Sequence, residues 1–190
     1  MKAMFEGVDT VVLHNELAYH DTLPVTWEPL EYSPDAFRLG ALEEANVLLL
    51  QACVAVEEHP LRDKNEDMHP LANELARLDY KLNLLLQLVG TLVNKAPNAD
   101  AVPVQFNALG ASWQARGVWP VVGSQGLLHL RLRGALVQTL DLYAVISDFE
   151  SGAVSARFLR MPAAATELIQ QLCFLRHRKQ VAGARKSRNK

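Results

Sequence analysis

The sequence predicts an α+β fold in which a small antiparallel β-barrel carries two long helices and a closing C-terminal helix. Three observations lead to this prediction. Apolar residues recur every three or four positions through residues 33–58 and again, with strict heptad spacing, through 68–92. Apolar and polar residues then alternate in short runs between residues 102 and 161, which is the period of strands. A last apolar run with helical spacing follows Pro162.

The composition restricts the classes of protein to which the chain can belong. With 190 residues, 49% of them hydrophobic and 21% charged, the chain is long and apolar enough for one folded domain. We expect this domain to span residues 1–180, with a helical insertion at 33–95, and a basic disordered tail to follow at 181–190. Residues 176–190 hold seven of the 19 basic residues and no acid, which leaves 12 basic against 21 acidic residues in the body. An acidic body predicts no nucleic-acid partner.

Cysteine usage and hydropathy indicate a cytoplasmic protein. Cys53 and Cys173 both lie in apolar helical sequence, which favours buried reduced thiols over a disulfide. The first ten residues lack the apolar core and cleavage site of a signal peptide. The longest apolar runs are too short to cross a bilayer, so the sequence predicts no membrane span.

The first elements are a short strand and a long helix. Residues 1–21 have little pattern and are expected to be irregular or partly helical, whereas residues 23–29 alternate like a strand whose prolines confine it to an edge. Ser33, Pro34 and Asp35 together predict a helix start with a serine cap, and the helix runs to about Glu58. Its apolar face is predicted to comprise Leu39, Leu42, Asn46, Leu49, Cys53 and Val56.

Asn46 is the one polar residue on that face. It could set the helix register by pairing with its own copy or a neighbour, or it could face water.

The second helix carries the most regular pattern in the chain. We call its eight heptad positions the seam: Met68, Leu71, Leu75, Leu78, Leu82, Leu85, Val89 and Leu92. Such a seam needs another helix to bury it, and we predict an oligomer interface from Leu71 to Leu92. Late flanking residues are also apolar (Leu86, Leu88 and Val93), which favours a bundle of three or more helices over a dimer. The alternative is that both helices pack within one chain.

The second half of the chain predicts the barrel and its closing helix. Candidate strands are Val102–Phe106, Ala111–Ala115, Leu127–Arg133, Leu136–Ser147 and Val154–Met161. Ser151-Gly152 and the other glycine-containing spacers supply turns. The final helix is predicted from Thr166 to about Lys179 and should cover an open end of the barrel. Its apolar side comprises Leu168, Ile169, Leu172 and Leu175.

Catalytic and metal-binding patterns are missing from the sequence. The six histidines are not spaced as ligands of one metal ion, and no nucleophile or phosphate-loop motif occurs. We therefore expect no enzyme and no metal site. Trp27, Trp113 and Trp119 are predicted to fill the barrel core, although an indole at the barrel mouth could stack on a base.

The order of elements resembles the PilZ domain in its atypical, tetramer-forming version. Four segments carry the resemblance: Tyr19–Trp27, Arg77–Leu85, Val104–Trp113 and Glu167–Arg178. The resemblance implies a PilZ-like barrel, a homotetramer and a place in bacterial cyclic di-GMP signalling.

PilZ domains bind cyclic di-GMP through two motifs, and both are altered here. The RxxxR motif supplies arginine forks for guanine and phosphate. The corresponding residues 94–102 contain no arginine, and Lys95 is their only cation. The [DN]xSxxG motif aligns with Gln105, Asn107 and Gly110, of which only the glycine matches.

These departures leave two functional hypotheses. The first is a non-enzymatic regulatory or adaptor protein that self-associates through the seam, contacts a signalling or motility protein, and needs no cofactor or tight nucleotide binding. The second is a diverged cyclic di-GMP receptor that uses Gln105, Asn107 and Gly110, with Lys95 or C-terminal arginines. A plainer interpretation makes Gln105 and Asn107 ordinary strand-end groups and places Gly110 at a bulge.

Overall fold

The computed structural model describes residues 12–58, 78, 82, 101–115, 117, 120–132 and 138–188, with side chains up to residue 182. Six antiparallel strands close into a barrel in the order β3-β4-β5-β8-β7-β6. A two-stranded hairpin, β1–β2, precedes the barrel. The strands are Val12–Leu13 (β1), Glu16–Leu17 (β2), Tyr19–Pro29 (β3), Ala101–Phe106 (β4), Gly110–Gln114 (β5), Gln125–Leu130 (β6), Leu140–Glu150 (β7) and Ala153–Phe158 (β8). The helices are Ala36–Glu58 (α1) and Ala163–Arg188 (α2). The predicted α+β barrel is confirmed.

Strand β3 closes the barrel, so the prediction that it lies at an edge is wrong. Its first half pairs with β4 and its second half with β6. Pro24 is the last residue paired with β4, and Pro29 is the last residue of the strand. The backbone N–H that each proline lacks is therefore missing at a point where β3 changes its partner strand or ends. This is why a strand that contains prolines can be paired on both sides.

The five strands predicted after residue 100 all overlap strands in the structure, with shifted ends for several. The predicted Ser151-Gly152 turn joins β7 to β8, and both residues have positive φ, 53° and 87°. The β1–β2 hairpin was not predicted. It turns at His14 and Asn15, whose φ values of 51° and 65° suit a tight hairpin turn.

Helix α1 begins at an aspartate cap. The Arg38 backbone N–H donates to Asp35 Oδ1 at 2.7 Å, so Asp35 takes the capping role predicted for Ser33. Ser33 Oγ instead bonds the side chain of Gln125 on β6. The helix is described as far as Glu58, where the described segment stops.

Asn46 fixes α1 to the barrel. Its Nδ2 donates to the Asp141 carbonyl at 2.7 Å, and its Oδ1 accepts from the Asp141 N–H at 3.0 Å. The partner of Asn46 is thus a strand of its own chain. Val56, predicted on the same face, is 54% exposed, and Val54 is buried instead. The buried face drifts around the helix because 3.6 residues per turn do not match a strict heptad.

Helix α2 packs along α1 and against β2 and β3. Ile169, Leu172 and Leu175 are buried on its inner side, as the predicted apolar face requires, and Cys173 is buried with them. The helix continues to Arg188, beyond its predicted end near Lys179. Residues 181–188 are therefore helical where the sequence predicted a disordered tail.

The core fills the barrel and the layer between it and the two helices. The Trp27 and Trp113 rings stack inside with centroids 6.4 Å apart, as the sequence predicted, while Trp119 lies outside the described residues. Cys53 and Cys173 are buried free thiols, which confirms the prediction. Burial raises the pKa of Cys53 to about 11 and that of Cys173 to about 12, so both remain protonated at neutral pH.

Candidate functional site

The three residues aligned with the nucleotide motif lie near the end of β4, in the turn that follows it and at the start of β5. Asn107 is buried at its centre, with 1% of its surface exposed. Its Oδ1 accepts from the N–H groups of Leu109 and Gly110 at 2.9 and 3.2 Å. Its Nδ2 donates to the Leu13 carbonyl at 2.6 Å. The Asn107 side chain thus holds the turn and the β1–β2 hairpin, in line with the plainer interpretation of this residue.

Gly110 is required by close packing. A Cβ built at this position would lie 2.3 Å from the Ala156 carbonyl oxygen and 2.9 Å from His14 Nε2. Gly110 pairs in register with Arg157 at the start of β5, where the ladder has no bulge. The glycine of the motif therefore allows β5, β8 and the hairpin to approach one another.

Gln105 differs from Asn107 and Gly110 because its side chain lies on the outer face of the barrel. It stands opposite His20 of β3 and Ser112 of β5, and Ser112 stands opposite Ser155 of β8. We call these four side chains the outer polar row. The hydroxyls of Ser155 and Ser112 are 3.5 Å apart.

The four side chains of this row can donate and accept hydrogen bonds. The row contains no buried charge. The sequence analysis found only Gln105 among its members. The signal for the others was the alternation in β3, β5 and β8, since buried Tyr19, Trp113 and Val154 imply outward-facing neighbours one position along. Lys95, the only cation of the altered arginine motif, lies outside the described residues.

A second polar cluster lies on the opposite side of the barrel, beside α1. His129 Nδ1 is 2.8 Å from Asp141 Oδ1, and His129 Nε2 is 3.3 Å from Glu28 Oε2. Arg38 of α1 reaches Glu28 at 4.0 Å. The hydrogen bond to Asp141 is the main reason why the pKa of His129 is raised, and burial opposes it. Among the described residues, no three metal-ligating side chains are grouped to hold an ion.

A third cluster joins α1, α2 and β3. The Arg176 guanidinium bonds Asp21 at 2.9 Å and Glu57 at 3.0 Å, and it lies 5.3 Å from the centroid of the Tyr19 ring. Lys179 also pairs with Glu57, at 2.5 Å. These contacts bind two of the C-terminal cations to carboxylates of the same chain. Burial is the main cause of a raised pKa for the Tyr19 hydroxyl, so this phenol stays neutral.

Two residues of the predicted oligomer interface are described, and both are helical. Leu78 is 55% exposed and Leu82 is 56% exposed in the single chain. The other predicted interface residues lie outside the described part of the chain: Leu71, Leu75, Leu85, Val89 and Leu92.

A closed six-stranded antiparallel barrel packed against two helices places the protein among small β-barrel domains of the PilZ type. A solved structure from Xanthomonas campestris has this fold, with a TM-score of 0.63 and 23% identity over 92% of this chain and 95% of that chain. That protein is described as a pathogenic protein and a new tetrameric PilZ domain self-assembled via an unusual helical bundle.

The sequence model of the atypical PilZ domain, cyclic di-GMP receptor, matches residues 50–186. The chain belongs to this family. A search of curated proteins gives no match.

Proposed function

We propose that this protein is a non-enzymatic regulatory adaptor of cyclic di-GMP signalling that self-associates through the seam and acts by protein contacts. Its partner is a signalling or motility protein of the cytoplasm, and the chain binds no nucleic acid. Its working unit is a domain over residues 1–180, and it lacks tight autonomous binding of the nucleotide.

The state of the ligand motifs supports weak nucleotide binding. Residues 94–102 offer no guanidinium group for guanine or phosphate. Asn107 stands where the family has serine, and its amide is held by Leu13, Leu109 and Gly110. Arg176 is paired with Asp21 and Glu57, so recruiting it for a ligand would break two ion pairs. A ligand would therefore have to compete with contacts that hold the fold.

The exposure of Leu78 and Leu82, the two seam residues that the structure describes, supports self-association, and it is the observation that carries the proposal. Leu78 and Leu82 belong to different heptad positions, yet each leaves more than half of its surface exposed. Leucines at consecutive seam positions are normally buried by another helix. Packing within one chain would cover them, so their exposure favours a partner helix from another copy.

One titration separates this proposal from its alternative. Calorimetric titration of the parent protein with cyclic di-GMP is expected to show no saturable micromolar binding, while light scattering shows an oligomer with or without the nucleotide. Saturable micromolar binding would contradict the adaptor proposal. A monomeric parent protein would contradict self-association.

The second candidate is a diverged cyclic di-GMP receptor, and the outer polar row favours it. Gln105 faces outward between His20 and Ser112, where its amide could bond the edge of a base. If binding is found, Gln105→Ala should weaken it strongly. Thr26→Ala, which alters an exposed β3 residue paired with β6, is the matched control.

A further inference from the structure

A shallow apolar cleft lies between α1 and the segment that joins β8 to α2. Its apolar walls come from both sides: Leu39, Leu42, Leu159, Met161 and Pro162. All of them except Leu39 are only partly buried. We call this depression the α1–β8 cleft. It is open to solvent and shallower than the pockets that enclose small molecules, so its shape suits a single side chain of a larger partner.

The walls of the cleft are fixed relative to each other. Asn46 of α1 also lines the cleft, and its amide bonds the backbone of Asp141 on β7 at 2.7 and 3.0 Å. Helix α1 has the length and composition of a helix that could cross a membrane, but these bonds hold it on the barrel. The cleft is therefore formed before any partner arrives, which lowers the entropic cost of binding.

Two exposed arginines stand beside the apolar walls. Arg160 lines the cleft itself. Arg157 precedes Leu159 by two residues, and the Leu159 N–H donates to the Tyr143 carbonyl at 2.8 Å, so the pairing with β7 continues to Leu159. Because strand side chains alternate, Arg157 and Leu159 lie on the same outer face, about 7 Å apart along the chain. Both guanidinium groups thus belong to one edge of the cleft.

The two guanidinium groups are unused by the fold. In the part of the chain that the structure describes, neither Arg157 nor Arg160 has a hydrogen bond or an ion pair. Arg38 and Arg176, in contrast, each contact a carboxylate of the same chain. A guanidinium fork pairs with a carboxylate through two parallel hydrogen bonds. The edge of the cleft therefore offers two free forks to a carboxylate from outside.

The backbone of Arg160 is strained. Its φ is 55°, in the left-handed region that glycine adopts readily and residues with a Cβ adopt rarely. Elsewhere among the described residues, positive φ outside glycine occurs at hairpin turns, at His14, Asn15 and Ser151. Arg160 instead joins a strand to a helix. Strained residues of this kind concentrate at functional sites, which favours a role for the Arg160 side chain.

We propose that the α1–β8 cleft docks an acidic segment of the partner protein, with an apolar side chain in the cleft and carboxylates on Arg157 and Arg160. The proposal rests on the adaptor function proposed above and names the chemistry of its partner. A phosphate would use the arginines and leave the apolar walls uncovered, whereas an acidic segment with an apolar side chain uses both. The two arginines lie on a chain with more acidic than basic residues, so they also orient the partner.

Binding of short synthetic peptides tests the partner chemistry. The probe is a fluorescein-labelled peptide with one leucine flanked on both sides by aspartates, and fluorescence anisotropy reports its binding to the full chain. We expect it to bind about tenfold more tightly than the same peptide with serine in place of leucine, which lacks the apolar side chain. A peptide with lysines in place of the aspartates should not bind. Added salt should weaken the binding of the aspartate peptide.

Charge changes at the cleft should alter the affinity with opposite signs. Arg157→Gln and Arg160→Gln should each weaken binding by about three- to tenfold, because each removes a carboxylate partner. Glu43 of α1 lines the cleft as well, so Glu43→Gln removes a like charge and should tighten binding. Glu44→Gln, at the next and exposed position of α1, does not line the cleft and is the matched control. Circular dichroism confirms that the variants fold.

Arg160→Gly separates a binding role from a structural one. Glycine relieves the strained φ, so this variant should raise the thermal midpoint by a few degrees while it weakens peptide binding. If Arg160 only shapes the chain, Arg160→Gly leaves the peptide affinity unchanged, and that result overturns the proposal.

Two further outcomes would overturn the proposal. One is a leucine peptide that binds no more tightly than the serine peptide. The other is binding of inorganic phosphate or cyclic di-GMP that needs Arg157 and Arg160 while the acidic peptide does not bind, which would make the site one for phosphate. Its failure differs from failure of the adaptor proposal, which shows in the calorimetric titration and in light scattering. An oligomeric parent that binds neither nucleotide nor peptide keeps the adaptor proposal and loses this one.

Discussion

The role of Asn107 depends on which groups surround its side chain. An asparagine between two strands could bind a ligand edge or its own turn, and the local sequence is compatible with both. In the structure the N-terminal hairpin supplies Leu13, a residue 94 positions away, as the third partner of its amide. A contact between residues so far apart in the chain is not visible in any local sequence pattern. The sequence could therefore align Asn107 with the nucleotide motif, but it could not show whether the side chain binds a ligand or its own turn.

Replacing Asn107 by alanine should destabilise the fold. The change leaves the N–H groups of Leu109 and Gly110 and the Leu13 carbonyl without their partner, which costs about 2–4 kcal/mol in the free energy of unfolding. Urea denaturation measures the loss, and Gln105→Ala on the preceding strand, β4, is the control with a small effect. A loss for Asn107→Ala no larger than that of the control would contradict this role.

Two glycines should respond to alanine with opposite signs. At Gly110 a Cβ would strike the Ala156 carbonyl, so Gly110→Ala should cost about 1–3 kcal/mol. At Gly40, inside α1, a Cβ meets no atom within 4 Å, so Gly40→Ala should stabilise by about 0.5–1 kcal/mol. Thermal or urea unfolding of the two variants gives the signs directly. A stabilising Gly110→Ala would show that β5 and β8 can separate without cost.

At the scale of secondary-structure elements, the sequence predicted those that local residue patterns determine. Alternation located five barrel strands, and the Ser-Pro-Asp signal located the start of α1 to within a turn. The errors have non-local causes. The prolines of β3 predicted an edge strand. In the structure β3 is internal, because β4 and β6 each pair with one half of it. The partner of Asn46 lies 95 residues away in β7.

The His129 cluster ties β3, β6, β7 and α1 together in a way that depends on pH. Folding raises the pKa of His129 above its usual 6.5, so protonated His129 stabilises the fold. That stabilisation is fully present below the unfolded pKa and is lost as pH rises through the folded pKa. The groups that face it are Asp141 on β7, Glu28 on β3 and Arg38 on α1.

We therefore expect the stability difference between the parent protein and His129→Gln to be largest below the usual histidine pKa of 6.5 and to shrink as the pH rises above it. Urea denaturation of both proteins across this range measures it. A difference that stays constant with pH would mean that His129 contributes as a neutral hydrogen-bonding group.

At the scale of the whole molecule, self-association links stability to concentration. A fold whose apolar helical faces are buried only in the oligomer gains stability by mass action as the protein concentration rises. The thermal midpoint of the parent should therefore increase over a hundredfold range of concentration. Leu78→Lys with Leu85→Lys places charges in the seam, which should abolish this dependence and yield a smaller species by light scattering. Leu78 is 55% exposed and is not part of the barrel core, so we expect the variant to keep the circular dichroism of a folded protein. A midpoint independent of concentration in the parent would mean that the single chain is the stable unit.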